Sequence, residues 1–316
     1  MKKKWTIPLF FAFFLTTLIS LTVYFLKQDD RPKVIVVAQR LDLEDWKIYE
    51  SGAKEAFKDF GIDGKVVAPD SIYPITNQPN LLKKMLKEHP DALIVDSVYP
   101  SANNPVLMEY KKKNIPVLFT STEDEWEYQT AYIGTDNIML GKTAGKLLGS
   151  MLQPGDQVAI IFGRSSNPVM IDRRNGAKEV LEDAGIKVVA VRSGYDRYEN
   201  SKSVARTILQ TYPNLKGIFA TTDQLALEAL EIIEEKKLKI PVIGTEGVTQ
   251  MIKAVEAGKI NATISENPYD IGYLSVEQAQ KVINGENIEK KVDSGIDIIT
   301  KDNAKDKLNF LKKIVD

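Results

Sequence analysis

Residues 33–52, KVIVVAQRLDLEDWKIYESG, decide how this chain is read. The segment opens as a short apolar run rich in valine and isoleucine and passes through a charged loop. It continues as an amphipathic stretch in which Tyr49, Ala53, Phe57 and Phe60 recur at helical spacing. Strand, loop and helix in that order form one unit of an open parallel α/β sheet, where ligands bind beyond the carboxyl ends of the strands. Arg40, Glu44 and Trp46 fall at such a place. A guanidinium only donates, a carboxylate only accepts, and an indole covers the C–H face of a neutral polar molecule. A sugar has both kinds of surface. A solvated loop with its tryptophan stapled to the core accounts for the same residues, so the rest of the chain has to be read with them.

Outward from this unit, apolar runs alternate with helical patterns almost without a break, which is the α/β signature. Strands are expected at 34–38, 65–68, 92–96, 116–120, 157–162, 187–191, 217–220, 241–244 and 261–265. Most are two-sided apolar runs suited to parallel strands covered on both faces. Between them lie helices such as 224–235, where Ala226, Leu230 and Ile233 form a stripe and Asp223 can cap the start. A chain of this size divides such units between two sheets. Breaks at 133–137, 266–269 and 293–295 are the expected crossings between two Rossmann-like lobes, a three-crossing hinge with the ligand between them.

The 316 residues are 43% apolar and 27% charged, ordinary for a globular protein. Forty-two basic residues against 43 acids give a net charge of −1, and no basic block interleaves with aromatics, which argues against a nucleic-acid partner. The absence of cysteine excludes disulfides, thiolate metal sites and thiol nucleophiles. Three lysines precede residues 5–26, which carry no charge and would reach roughly 33 Å as a helix, enough to cross a bilayer. LTVYFLKQDD offers no small-residue cleavage pattern, so an uncleaved signal anchor is expected, its lysine end cytoplasmic. The expected organisation is therefore a cytoplasmic N-terminus (1–4), a transmembrane anchor (5–26) and a linker (27–32). A first lobe of 33–134 plus 267–292 and a second of 135–266 plus 293–316 follow outside the cell membrane.

Two motifs fail. Gly141-Lys142-Thr143 resembles the end of a phosphate-binding loop, but position 136, where that loop needs glycine, is aspartate. Gly141 and Gly145 are better explained by close packing of their helix. No dinucleotide fingerprint follows the first strand, since the loop there is 39–45. His89, the lone histidine, precedes Pro90 and is expected at the surface.

The remaining candidates all follow strands: Arg173 and Arg174 in MIDRRNG, Tyr195 in SGYDR, Thr222 with Asp223, Glu246 in VIGTEG, and Glu266 with Asn267 after ATIS. Singly, each would serve as well for a helix cap or an exposed ion pair. Together, IGTDNIMLGKTAG (133–145), GIFATTDQLALEAL (217–230), VIGTEG (242–247) and KINATISENPYDIG (259–272), with IPVLFTST (115–122), resemble the pentose and hexose branch of the type I periplasmic binding proteins. The resemblance implies that Trp46 stacks on a sugar, with Arg40 and Glu44 beside it. It also places an arginine contact at Arg173 or Arg174, a second aromatic at Tyr195, and polar contacts at Ser121, Thr122, Thr222, Glu246 and Glu266. The chain departs from the family pattern at Ser121 and Thr122, where an Asp-Arg or Asp-Asp pair is usual. Thr222, Glu246 and Glu266 also stand where asparagine, aspartate and an amide are usual.

The resemblance implies two lobes closing over a monosaccharide, with a pentose expected, L-arabinose first and D-xylose second. The anchor points to a sensor that reports to a membrane histidine kinase of a two-component system; the alternative is the binding component of a sugar ABC importer with its permease. No cofactor is expected. Glu246 and Glu266 could flank a sugar as a glycosidase pair, but hydrogen bonding to hydroxyls explains them equally, and no enzymatic activity is expected.

Overall fold

A computed structural model describes residues 31–123, 126–165, 167–194 and 201–315. The first strand, β1 (Lys33–Val37), is buried on both faces, as a central parallel strand must be. Val34 and Val36 join one apolar cluster with Tyr49, Ala53 and Phe57, while Ile35 and Val37 join another with Leu82 and Leu107. This period-two division of one strand between two cores makes the sheet a middle layer between helices. Helices α1 (Glu44–Asp59), α2 (Asn77–Leu86) and α3 (Pro100–Lys112) alternate with β2 (Asp63–Val67), β3 (Ala92–Val95) and β4 (Val117–Thr120). With β5 (Ala131–Gly134) and β11 (Lys291–Asp293) they complete a sheet of order β11-β5-β4-β3-β1-β2, all parallel.

The second sheet repeats the plan. Its parallel strands are β6 (Gln157–Phe162), β7 (Lys187–Ser193), β8 (Leu215–Ala220), β9 (Val242–Glu246) and β10 (Ala262–Glu266), and β12 (Ile296–Thr300) adds an antiparallel edge. The order is β12-β10-β9-β8-β6-β7. Helices α4 (Asn137–Gly149), α5 (Pro168–Asp183), α6 (Ser201–Thr211), α7 (Asp223–Glu235) and α8 (Thr249–Glu256) cover it. Helix α9 (Pro268–Ile283) returns to the first sheet, and α10 (Ala304–Val315) lies against α8 and β12 while also touching α1. Each sheet with its helices is a lobe.

The chain passes between sheets three times, after β5, after β10 and after β11. The crossing segments are tied together: Ser294 N–H donates to Gly134 O at 2.9 Å, and Asp136 N–H donates to Asp293 Oδ1 at 3.1 Å. Three strands escape the sequence reading. β5 is four residues long and merges with what reads as a crossing, β11 is three residues, and β12 is a mostly exposed edge strand with only Ile299 buried. Thr222, not Asp223, caps α7, its hydroxyl accepting from Leu225 N–H at 3.3 Å. His89 is exposed. Among the described residues no helix is long and apolar enough to cross a membrane, and the anchor expected at 5–26 lies outside those residues.

Candidate functional site

Helix α5 brings Arg173 to the middle of the molecule. Its buried residues Met170, Arg173, Gly176, Ala177 and Leu181 follow helical spacing, so Arg173 shares the inward face while Arg174 lies off it. Close approach is possible because Gly141 on α4 sits against the Arg173 carbonyl and Gly176 against the Ile138 carbonyl; a Cβ at either would come within 2.2 Å of that oxygen. The packing role read for Gly141 from the sequence is therefore what the structure shows.

Arg173 is 1% exposed and is held from four other elements. Its Nε donates to Asn137 Oδ1 at 2.9 Å, and its Nη1 donates to Thr221 O at 3.3 Å and Thr245 Oγ1 at 3.2 Å. Nη2 donates to Glu266 Oε1, and Glu246 Oε1 lies 3.9 Å from Nη1. Glu246 adopts φ +118°, a conformation that L side chains rarely take, at the turn into Gly247. Behind it, the Asp223 carboxylate accepts from Gly247 N–H at 2.6 Å, Val248 N–H at 2.9 Å and Thr263 Oγ1 at 2.6 Å. Burial pushes Asp223 up to about 7 and these three donors oppose it. Asp223 thus fixes the loop that presents Glu246, rather than capping its helix.

Two cavities between the lobes flank Arg173. One, of ≈ 890 Å³, is lined by Gln39, Thr122 and Tyr132 from the first lobe and by Asn137, Asn167 and Asp172 from the second. The other, of ≈ 550 Å³, is lined by Asp45 and Ile48 from the first lobe, by Glu246 and Glu266 from the second, and by Phe310 of α10. Both lie in the size range of small-molecule sites. Glu44 reaches across the cleft, accepting a hydrogen bond from Thr249 Oγ1. Beside it, Asp45 is pushed up to about 6 by burial and by the charges of Glu266 and Glu44, with Arg173 pulling the other way. Glu246 is raised well above the usual carboxylate range by burial, opposed by Arg173 and reinforced by Asp223, Glu266 and Asp45.

The structure therefore brings Arg173, Glu246 and Glu266 together, with Glu44 bonded across the cleft to Thr249 and Thr122 on the wall of the larger cavity. The contacts of the other residues singled out in the sequence are different. Arg40 pairs with Asp42 at 2.6 Å, and Arg174 bonds Asn175 and lies 4.9 Å over the Phe162 ring. Trp46 is half-buried against Tyr49, ring centroids 5.2 Å apart, at the border of the first-lobe core. Thr222 serves as the cap of α7, and Ser121 adopts φ +58° with its carbonyl accepting from Tyr132 OH at 3.0 Å. Tyr195 lies outside the described residues. Sequence reasoning missed Asp45 and Asp96, although Asp96 directly follows the apolar strand ALIV and satisfies the same post-strand rule that singled out the others.

Asp96 is 1% exposed, and neither carboxylate oxygen has a hydrogen-bond partner. Burial pushes it up to about 7; Gln39 and Thr122 lie close enough to favour the charged form, but neither donates with hydrogen-bond geometry. An unfolded aspartate titrates near pH 3.9, so between about pH 4 and 7 the folded chain holds the extra proton and stability falls as pH rises. Asp96→Asn removes this dependence. Urea unfolding is expected to show the variant gaining roughly 2–3 kcal/mol relative to the parent on going from pH 5 to pH 8. A relative change below about 0.5 kcal/mol would show that Asp96 is ionised throughout.

A model of the periplasmic binding protein domain family matches residues 34–287. The D-allose-binding periplasmic protein of Escherichia coli K12 is 36% identical over 164 residues, covering 48% of this chain and 52% of that protein, about half its length. The ribose import binding protein of Bacillus subtilis 168 is 25% identical over 237 residues, 75% of this chain and 77% of that protein. Among solved structures, an ABC transporter periplasmic solute binding protein of Actinobacillus succinogenes 130z with bound D-allose superposes with a TM-score of 0.76 at 26% identity, covering 87% of this chain and 100% of that one.

Proposed function

This chain belongs to the periplasmic binding protein domain family, and from that premise we propose that its lobes close over one monosaccharide. The observation that carries the reading is Arg173, a fully buried guanidinium flanked by Glu246 and Glu266 between two cavities that both lobes line. Donors and acceptors fixed at one point suit the hydroxyls of a small polyol. Glu44, Thr122, Glu246 and Glu266 are the contacts we assign, with Arg173 at their centre. The relatives named for D-allose and ribose support a monosaccharide; among monosaccharides our own assignment is a pentose, L-arabinose first and D-xylose second.

The uncharged segment 5–26 supports a single-pass anchor with the binding domain outside the membrane. An anchored receptor that closes on its ligand offers a partner two distinguishable shapes, and the partner proposed is the extracytoplasmic domain of a histidine kinase. The relative named as a ribose import binding protein favours a second reading, the binding component of an ABC importer. Deleting the gene separates them: a sensor's loss abolishes sugar induction while uptake through other routes persists, and an importer's loss removes uptake itself.

Calorimetric titration of the full chain in detergent micelles with L-arabinose, D-xylose, D-ribose, D-allose and D-galactose tests the core reading. Micromolar or tighter binding of a pentose is expected, and hexoses alone binding would redirect the pentose assignment. The absence of heat with every sugar, aminated ones included, would remove the monosaccharide reading.

A further inference from the structure

Among the described residues the cleft is short of positive charge. The walls of the larger cavity carry Glu123, Asp136, Asp172 and Asp293 against Arg164 and Lys291. Those of the smaller carry Asp45, Glu246, Glu266, Asp270, Asp297 and Asp306 against Lys307 alone. Lys291 is paired with Glu123 at 2.6 Å and Lys307 with Asp297 at 2.7 Å. Four of the five Arg173 N–H donors are committed, to Asn137, Thr221, Thr245 and Glu266. Among the described residues no basic side chain forms an ion pair with Asp45, and Glu246 lies 3.9 Å from a guanidinium nitrogen that already serves two oxygens. In the first lobe, Asp96 adds an independent observation: a carboxyl group 1% exposed, with both oxygens unpartnered, beside Gln39 and Thr122 of the larger cavity's wall.

Closing the lobes on a neutral sugar supplies hydroxyl donors but no charge, and it takes the carboxylates of both lobes out of water together, the costly case for uncompensated ions. An ammonium group supplies three N–H donors and a positive charge at one point. A metal ion is a poorer answer, because among the described residues no group of three or more acidic or histidine side chains is arranged to hold one. We propose that the cleft selects a monosaccharide in which an amine replaces one hydroxyl, with the ammonium seated among Asp45, Glu246 and Glu266. This rests on the monosaccharide reading above and narrows its ligand class.

The test is titration of the full chain in micelles with 4-amino-4-deoxy-L-arabinose, D-glucosamine and D-galactosamine, each beside its parent sugar and its N-acetyl derivative, which keeps the nitrogen and loses the charge. At least one amine is expected to bind ten-fold or more tightly than both its parent and its acetylated form. Asp45→Asn is expected to cut that preference below about three-fold, and Asp45→Glu, which keeps the charge, to retain it. Parent sugars binding as tightly as the amines would overturn the amine assignment and leave the monosaccharide reading standing. No binding of either kind would overturn both. A preference that survives Asp45→Asn intact would overturn the placement of the ammonium beside Asp45.

Discussion

Arg173→Ala is expected to abolish ligand binding and to remove roughly 3–5 kcal/mol of stability, the cost of breaking one partner out of a buried ion pair. The argument is one of abandoned partners. Without the guanidinium, Glu266 loses its counter-charge, and Glu246, already raised by its surroundings, loses the charge that pulls it down. The Thr221 carbonyl, the Thr245 hydroxyl and Asn137 Oδ1 each lose a donor. Because these acceptors come from α4, β9, β10 and the loop after β8, the loss also loosens the relation between helices and sheet on which the second half of the cleft depends. Arg173→Lys keeps the charge but not the planar fork. It is expected to fold with a smaller loss of stability and to bind at least ten-fold more weakly. Arg174→Ala, whose guanidinium is paired only with its neighbour Asn175 and laid over Phe162, is expected to stay within about 1 kcal/mol of the parent. Chemical unfolding and titration of the three variants decide the matter. An Arg173→Ala protein binding within three-fold of the parent would remove Arg173 from the site.

The contrast between these adjacent arginines shows how far sequence reading reaches. The post-strand position pointed to both and could not choose. Helical phase could have chosen, since Met170, Arg173, Ala177 and Leu181 recur at spacings of three and four and Arg174 breaks the row. Strands buried on both faces were legible because their apolar runs are continuous, as at β1, β3 and β6. Strands at the crossings were not, because β5 and β11 are short and their register is set by partners distant in sequence: Lys291 beside Tyr132, and Val292 beside Ile133. Trp46 is a different case. Its residue type suits sugar stacking, but its place in the first turn of α1 turns it towards Tyr49, one helical turn on. Asp223 was read as a cap from its position before a helix. What decided its role was the turn after β9, a loop some 24 residues away in sequence, whose N–H groups converge on it. No local pattern carries that information.

Gly141→Ala is the second substitution from which a large effect is expected, although it adds a single methyl group in a helix where alanine is intrinsically favoured by about 1 kcal/mol. The added Cβ would come within 2.1 Å of the Arg173 carbonyl oxygen, with the Arg173 carbonyl carbon and Cα at 2.8 Å. The obstacle is backbone, so no side-chain rotation relieves it, and α4 and α5 must separate. Overpacking of this kind costs roughly 1–3 kcal/mol. Here it also displaces the turn of α5 that carries Arg173, so affinity is expected to fall ten-fold or more. Gly149→Ala, at the end of the same helix, meets only the Leu181 Cδ2 at 3.8 Å and is expected to be neutral or slightly stabilising. The first lobe supplies a second comparison. A Cβ added at Gly52 on α1 would come within 2.0 Å of the Tyr269 carbonyl oxygen, and one added at Gly272 on α9 within 2.2 Å of that of Tyr49, a packing that matches α4 on α5. Gly52→Ala is therefore expected to lose stability as Gly141→Ala does, and to displace α1 with Glu44 and Asp45 at its start. Unfolding midpoints of the three variants, measured beside their affinities, separate helix packing from helix propensity. If Gly141→Ala proves as stable and as tight-binding as Gly149→Ala, the close approach of α4 to α5 is not what holds Arg173 in place.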